Sequence, residues 1–335
     1  MTSLTEPTTG PRPSALARFA ALQRRVPVAQ MVLVVLLFAY GAATKDNFTS
    51  YSSISSLLVL AAFIGLAALG QTLVVLLGGI DLSVSGFIVA GAVIVTQLST
   101  QYGMSFPVAF AMLTVGSLFL GGLVGWVCHR FSIQPLIATL AMGSIALGLI
   151  QIQTGGAMTG TAPLWLSKLS SPVSRTFGLP ISPVVAIWAV VAVLTALFLQ
   201  RTVTGRRIYY TGVNRRAADL ALVPTRRIWT AVFAFSAFCS AATGVLLAGY
   251  AGSVNGSLGG PYLFQSLTAV IVGGTVLGGP GDYWRSCLGA VILVLLTTLL
   301  IGMGFPQASR EVLFGIVVLA AMALYGREKR LGDRI

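Results

Sequence analysis

The chain has 335 residues, 56% hydrophobic and only 9% charged, with a mean hydropathy of +0.90 and a net charge of +13. A water-soluble domain carries about 25% charged residues, so this composition excludes a soluble globule and points to an integral membrane protein. The positive balance does not signal nucleic acid in such a chain, because basic loops suit the anionic surface of a lipid bilayer.

A spanning helix needs about 20 mostly apolar residues, and a barrel strand about 10 of alternating polarity. The chain shows long apolar runs without sustained alternation, so it reads as an all-α polytopic membrane protein whose helices satisfy their own backbones in lipid. A polar head over residues 1–25 precedes a first apolar run that is long enough to be a retained helix rather than a cleaved signal. Ten segments are expected at about 26–43, 55–78, 82–100, 105–128, 134–153, 182–200, 228–251, 264–278, 286–303 and 310–325. The eighth is short and glycine-rich, which suits a broken or re-entrant element as well as a full span.

Charge placement orients the segments. With the N-terminus in the cytoplasm and all ten crossing, only Lys45, Lys168, Arg175 and Arg310 fall outside. Every other Lys and Arg falls inside, a bias that the opposite orientation would invert. The tails 1–25 and 327–335 are therefore expected in the cytoplasm, flanking a membrane domain over 26–326. If the eighth segment only dips in and returns, the C-terminal tail lies outside instead.

Two loops stand out. The outer loop 154–181 carries Gly155, Gly156, Pro163, Pro172, Pro180 and Trp165, and is long enough for a lid or docking surface. The inner loop 201–227 holds Arg201, Arg206, Arg207, Arg215, Arg216, Arg226 and Arg227 against one acid, Asp219. In "TGVNRRAADLALV", Gly212 favours a turn, Asn214 can cap a short helix, and Ala217, Ala218, Leu220 and Ala221 give it a small smooth surface. Such a helix can lie on the membrane or insert into a partner's groove. Asp219 pairs with Arg215 or Arg216 at helical spacing, or faces the partner.

Several chemistries lack material. Lys45, Lys168 and Lys329 are the only lysines and none follows a glycine, so no P-loop exists. His129 is the only histidine, which excludes a histidine-rich metal site. With 8 acidic residues there is little for paired-carboxylate catalysis, so no catalytic residue, metal site or cofactor is expected. Cys128, Cys239 and Cys287 fall in or beside apolar segments, which argues against disulfides.

Asp81, in "LGGIDLSVSG", is the only charged side chain between Asn47 and Cys128. It follows Gly78 and Gly79 and precedes an apolar run, so the pattern favours a cap on the third helix, where a carboxylate complements the dipole. A pathway role for Asp81 and Ser83 is compatible, since broken helix ends are where transporters place ligand groups. Gln71, Gln151, Gln153 and Asn255 are neutral polar residues in or beside spans, suited to a neutral sugar or to interhelical hydrogen bonds. Phe264, Tyr262 and Trp165 suit an interfacial aromatic belt better than sugar stacking. There is also an internal echo: "TLVVLLGGIDL" (72–82) matches "TAVIVGGTVL" (268–277) in a threonine, an apolar run and a Gly-Gly pair.

The G-x-N-x-x-A-A pattern from Gly212 to Ala218 resembles the coupling loop of bacterial ABC-importer permeases. "GGIDLS" resembles the hallmark of the ribose-type sugar permeases of that group, and "VGGTVLGGPG", with Gly273 and Gly274, is similar to their second glycine motif. The resemblance covers roughly Ala29 to Tyr325. It implies a pore subunit in the bacterial cytoplasmic membrane that is not itself an enzyme. The implied partners are a second permease subunit, identical or similar, a cytoplasmic ATPase with tandem nucleotide-binding domains, and an extracytoplasmic sugar-binding protein. Gly212, Asn214, Ala217, Ala218, Asp219 and Leu220 would couple to the ATPase. Gln71, Asp81, Ser83, Gln151, Gln153, Asn255 and Phe264 are the candidate pathway residues. A nucleoside or branched-chain amino acid importer of the same superfamily, or an ion-coupled transporter using Asp81, are the alternatives.

Overall fold

A computed structural model describes residue 23 and residues 26–158 and 160–332, with the backbone alone for 98–102 and 321–332. Most of the expected N-terminal tail, including Arg12, Arg18, Arg24 and Arg25, and Arg334 at the other end, lie outside the described residues.

The described chain is helical, with two isolated bridges, Thr161 to Ser253 and Thr176 to Leu179, as its only β pairing. In chain order the helices are α1 (Val28–Thr44), α2 (Tyr51–Leu76), α3 (Val84–Tyr102), α4 (Phe106–Phe131), α5 (Pro135–Thr154), α6 (Leu164–Ser170) and α7 (Pro183–Arg201). They continue with α8 (Val203–Val213), α9 (Arg215–Leu220), α10 (Thr225–Ala251), α11 (Gly260–Val272), α12 (Tyr283–Gly302) and α13 (Gln307–Gly332). Each of the ten expected apolar segments finds a helix, and the last runs beyond its expected end at 325. Six of them, α2, α4, α5, α7, α10 and α12, are long and apolar enough to cross a membrane.

Local signals explain the boundaries. Proline stands in the first turn of α4, α5, α7 and α11, where its missing N–H costs nothing. Ser50 caps α2 by accepting from the Ser53 N–H at 3.3 Å. Gly155 and Gly252 end α5 and α10 in the left-handed region, at φ +60° and +73°.

α2 and α10 form the centre. α10 packs against α4, α3 and α2, while α12 packs against α2 and α11. Along the α4–α10 seam, Gly121 and Gly125 sit one turn apart against the Phe233 and Trp229 carbonyls, the small-residue contact expected where apolar attraction between helices is weak. α4, α5 and α7 keep outward stripes such as Val115, Phe119, Ile137, Leu140, Val190 and Leu194 exposed, as lipid-facing helices do.

The loops gather at two ends. At one, Gly278 N–H donates to the Val75 carbonyl at 2.8 Å, Leu82 N–H donates to Thr139 Oγ1 at 2.9 Å, and Arg215 Nη2 donates to the His129 carbonyl at 2.8 Å. This brings together segments 77–83, 132–134, 202–224 and 273–282. Gln30 joins them, its Nε2 donating to the Val272 carbonyl at 3.2 Å. At the other end Lys45 Nζ donates to the Gly302 carbonyl, and Ala162 N–H donates to the Gly252 carbonyl at 3.3 Å.

Candidate functional site

The site is built from two helix breaks and one loop. α2 stops at Leu76 because Gly78, at φ +85°, folds the chain back: Gly78 N–H bonds the Val75 carbonyl and Gly79 N–H the Val74 carbonyl, both at 2.9 Å. α11 stops in the same way. Gly274, at φ +94°, lets Gly274 N–H reach the Ile271 carbonyl at 2.9 Å and Thr275 N–H the Val270 carbonyl at 3.1 Å. These are paired reverse caps that reward glycine at the left-handed position. The internal echo is therefore real in three dimensions. Its register sets Gly78 on Gly274 and Thr72 on Thr268, one residue away from aligning the two Gly-Gly pairs.

The breaks meet. A Cβ added to Gly78 would lie 3.6 Å from Gly278 Cα, and one on Gly278 would lie 2.8 Å from the Gly212 carbonyl oxygen. Gly212, in the last turn of α8, presses so closely on α2 that a Cβ there would overlap the Leu76 carbonyl at 1.8 Å. Tyr209, one turn earlier, donates its hydroxyl to the Gly281 carbonyl at 2.8 Å. Burial, and secondarily the charge of Asp282, push the Tyr209 phenol up to about 12, so it stays a donor at neutral pH. Sequence reading missed Tyr209; its only signal was a pair of tyrosines interrupting the arginine-rich loop.

The loop itself is built as expected in part. Asn214 caps α9, its Oδ1 accepting from Ala217 N–H at 3.0 Å. Arg215 anchors the helix to the end of α4 and stacks on Trp229, 5.7 Å from its ring centroid. Asp219 corrects an expectation: the partner the structure gives it is the Thr225 hydroxyl rather than Arg215 or Arg216. Thr225 in turn lies 2.9 Å from His129 Nε2. Ala218 corrects another, because at 4% exposure it faces its own protein instead of offering a free docking surface. The free surface is formed by Val213, Ala217, Leu220 and Leu222. Leu220 and Leu222 are about nine-tenths exposed, and Leu222 is held at φ +58° after α9.

Asp81 does not cap α3, which starts at Val84. Its Oδ1 accepts from the Ser83 N–H at 2.9 Å and the Ser83 hydroxyl at 2.5 Å, a turn ahead of the helix. Its Oδ2 accepts from the Ser236 hydroxyl of α10 at 2.6 Å. The carboxylate is 1% exposed and ties the first break to the central helix. Ser236 was not legible beforehand, since a serine in an apolar helix has many equally good partners.

The remaining pathway candidates are not brought together. Gln71 is fully buried in α2, and neither atom of its amide has a hydrogen-bond partner among the described residues. Gln151 and Gln153 are exposed in the last turns of α5. Asn255 is exposed and closes its own turn, accepting from Ser257 N–H at 3.1 Å. Phe264 is 54% exposed and lines a cavity of about 480 Å³ at the end opposite Gly212. Gln265, Gln307, Arg310, Glu311 and Phe314 also line it, and Gln307 Nε2 donates to Glu311 at 3.0 Å. Of the α13 residues the sequence singles out only Arg310, as an outer cation, because they stand at a helix start far along the chain from Phe264. No metal-binding cluster of three or more His, Cys, Asp or Glu occurs among the described residues.

The family model of the branched-chain amino acid transport system permease component matches residues 53–322. The fructose import permease protein of Bifidobacterium longum is 30% identical over 310 residues, 89% of each chain. The ribose import permease protein of Haemophilus influenzae is 28% identical, covering 92% of this chain and 94% of its own. An autoinducer 2 import system permease protein of Salmonella paratyphi B is 28% identical, covering 91% of this chain and 87% of its own. No solved structure matches. With a family match across both helix breaks and the loop between them, the chain belongs to the branched-chain amino acid transport system permease family, in which the ribose-type permeases lie, and is a multi-pass protein of the bacterial inner membrane.

Proposed function

We propose that this chain is the pore subunit of an ATP-driven importer that moves a monosaccharide or similar polyol inward. The observation that carries the reading is the meeting of Gly78, Gly212 and Gly278, where one exposed loop touches both helix breaks at once. In this reading a cytoplasmic ATPase docks on Val213, Leu220 and Leu222, and displacement of α9 passes through α8 to both breaks. ATP and sugar then bias one inward/outward equilibrium from opposite ends. The chain holds no P-loop of its own, so hydrolysis belongs to the separate ATPase. A second permease copy completes the pore and an extracytoplasmic binding protein delivers the sugar.

All ten apolar segments, the short α11 included, cross in this proposal, with both termini and the Gly212 end in the cytoplasm. Support comes from the alternation of loops between the two ends and from the arginines of 201–227 at the Gly212 end. The cavity beside Phe264 is then the outer mouth. Phe264 offers a ring face to the apolar side of a pyranose, while Gln265, Gln307, Arg310 and Glu311 offer donors and acceptors for its hydroxyls. One observation favours a second reading. Arg310 and Glu311 supply both signs of charge, which a zwitterionic amino acid would also use.

Reconstitution with the ATPase and binding protein tests both. Uptake of labelled sugar should require ATP and survive ionophores that collapse proton and sodium gradients. Loss of uptake to an ionophore while ATP persists overturns the ATP-driven reading. Uptake of labelled leucine, with no uptake of labelled pentoses or hexoses, decides for the amino acid.

A further inference from the structure

A second cavity, of about 420 Å³, plays no part in the site above. It lies among Leu194 and Phe198 of α7, Thr204 and Ile208 of α8, and Ala231 and Phe235 of α10. The hydroxyls of Thr195 and Thr204 are the only polar side-chain groups on its wall. Leu194 is 59% exposed, and Phe198 and Phe235 are each 37% exposed, so the cavity opens on the outside of the bundle, where lipid lies. Water finds only two hydroxyl partners in such a groove, whereas a hydrocarbon chain gains dispersion contacts along the apolar wall.

Each wall helix carries an arginine close in sequence to the groove. Arg201 follows Phe198 by three residues on α7, Arg207 follows Thr204 by three on α8, and Arg227 precedes Ala231 by four on α10. Side chains three or four apart on a helix stand one above the other. Each of the three helices thus sets an exposed arginine one turn from a wall residue, beyond the wall towards the loop on α7 and α10 and between Thr204 and Ile208 on α8. A guanidinium fork matches the oxygens of a phosphate.

We infer that this groove is a binding site for an anionic phospholipid of the cytoplasmic leaflet, with one acyl chain between α7, α8 and α10 and the phosphate on Arg201, Arg207 and Arg227. The leaflet, though not the groove, rests on the orientation proposed above. The occupant backs α8 at Ile208, one turn before Gly212 meets α2. Lipid in the groove therefore stiffens the helix that links the loop to both breaks.

Native mass spectrometry of the full-length transporter, incubated with phosphatidylglycerol or phosphatidylcholine of the same acyl chains, tests the site independently of orientation. The wild type should retain phosphatidylglycerol at least tenfold over phosphatidylcholine. The triple variant Arg201→Gln, Arg207→Gln, Arg227→Gln should fall to the phosphatidylcholine level. Ala231→Trp, at an exposed position on the groove wall, should lower retention of both. Equal retention of the two lipids by the wild type overturns the inference, as does undiminished phosphatidylglycerol on either variant.

Discussion

Asp81 shows how a single residue changes meaning with its surroundings. A lone carboxylate in an apolar stretch invites a pore role, yet each of its oxygens is spoken for, by Ser83 and by Ser236. Asp81→Asn should preserve most uptake and assembly. An amide oxygen still accepts from Ser83, and the amide nitrogen donates to a Ser236 hydroxyl that turns to accept. Asp81→Leu orphans the buried Ser83 N–H and Ser236 hydroxyl, at about 1–3 kcal/mol each, and should lower the melting temperature and yield of the complex. Uptake lost in a well-assembled Asp81→Asn transporter would return the carboxylate to the pathway. Leu222 is the opposite case, an exposed apolar residue in a conformation costing about 1–2 kcal/mol that glycine adopts freely. Leu222→Gly should leave the permease as heat-stable as the wild type or slightly more so, while the ATPase co-purifies several-fold less. Undiminished ATPase recovery would remove Leu222 from the docking surface.

At the scale of elements, the helices were legible because apolar runs, first-turn prolines and terminal glycines act locally. The boundaries of α2, α4, α5, α7 and α12 follow from such signals within a few residues. The echo between 72–82 and 268–277 was legible too, but its register was not. Two Gly-Gly pairs align naturally on paper, whereas the backbone needs only one left-handed glycine per break and chooses Gly78 and Gly274. From its sequence setting Gly212 is a turn former. In the structure it is a point of contact, with no room for a methyl group against the Leu76 carbonyl. Gly212→Ala must therefore push α8 away from α2, at about 1–3 kcal/mol for an overpacked contact. The expected result is a normal amount of permease in the membrane with ATP hydrolysis no longer accelerated by loaded binding protein. Sugar-stimulated hydrolysis at the wild-type level would show that the three-glycine contact does not carry the coupling.

For the whole molecule, the proposed orientation has a direct readout. Cys128, Cys239 and Cys287 are all buried, so labelling of the native chain by a membrane-impermeant maleimide should be slight in intact cells. Phe177→Cys, at a fully exposed position in loop 154–181, should label from outside. Val213→Cys, 70% exposed beside Asn214, should label only after the cells are opened. The reverse pattern inverts the topology, and labelling of both from one side removes a span between them. Composition determined that this is a membrane protein and its long unalternating apolar runs that it is helical, because both are read along the chain and do not depend on which helix touches which. The coupling-loop motif, the Asn214 cap and the glycine breaks were also written locally. Only the tertiary structure decided that Asp81 holds Ser236, that Gly78, Gly212 and Gly278 share one point, and that Phe264 faces α13. Those contacts join residues far apart in the chain, and the packing of small residues between helices that selects them leaves no periodic trace in the sequence.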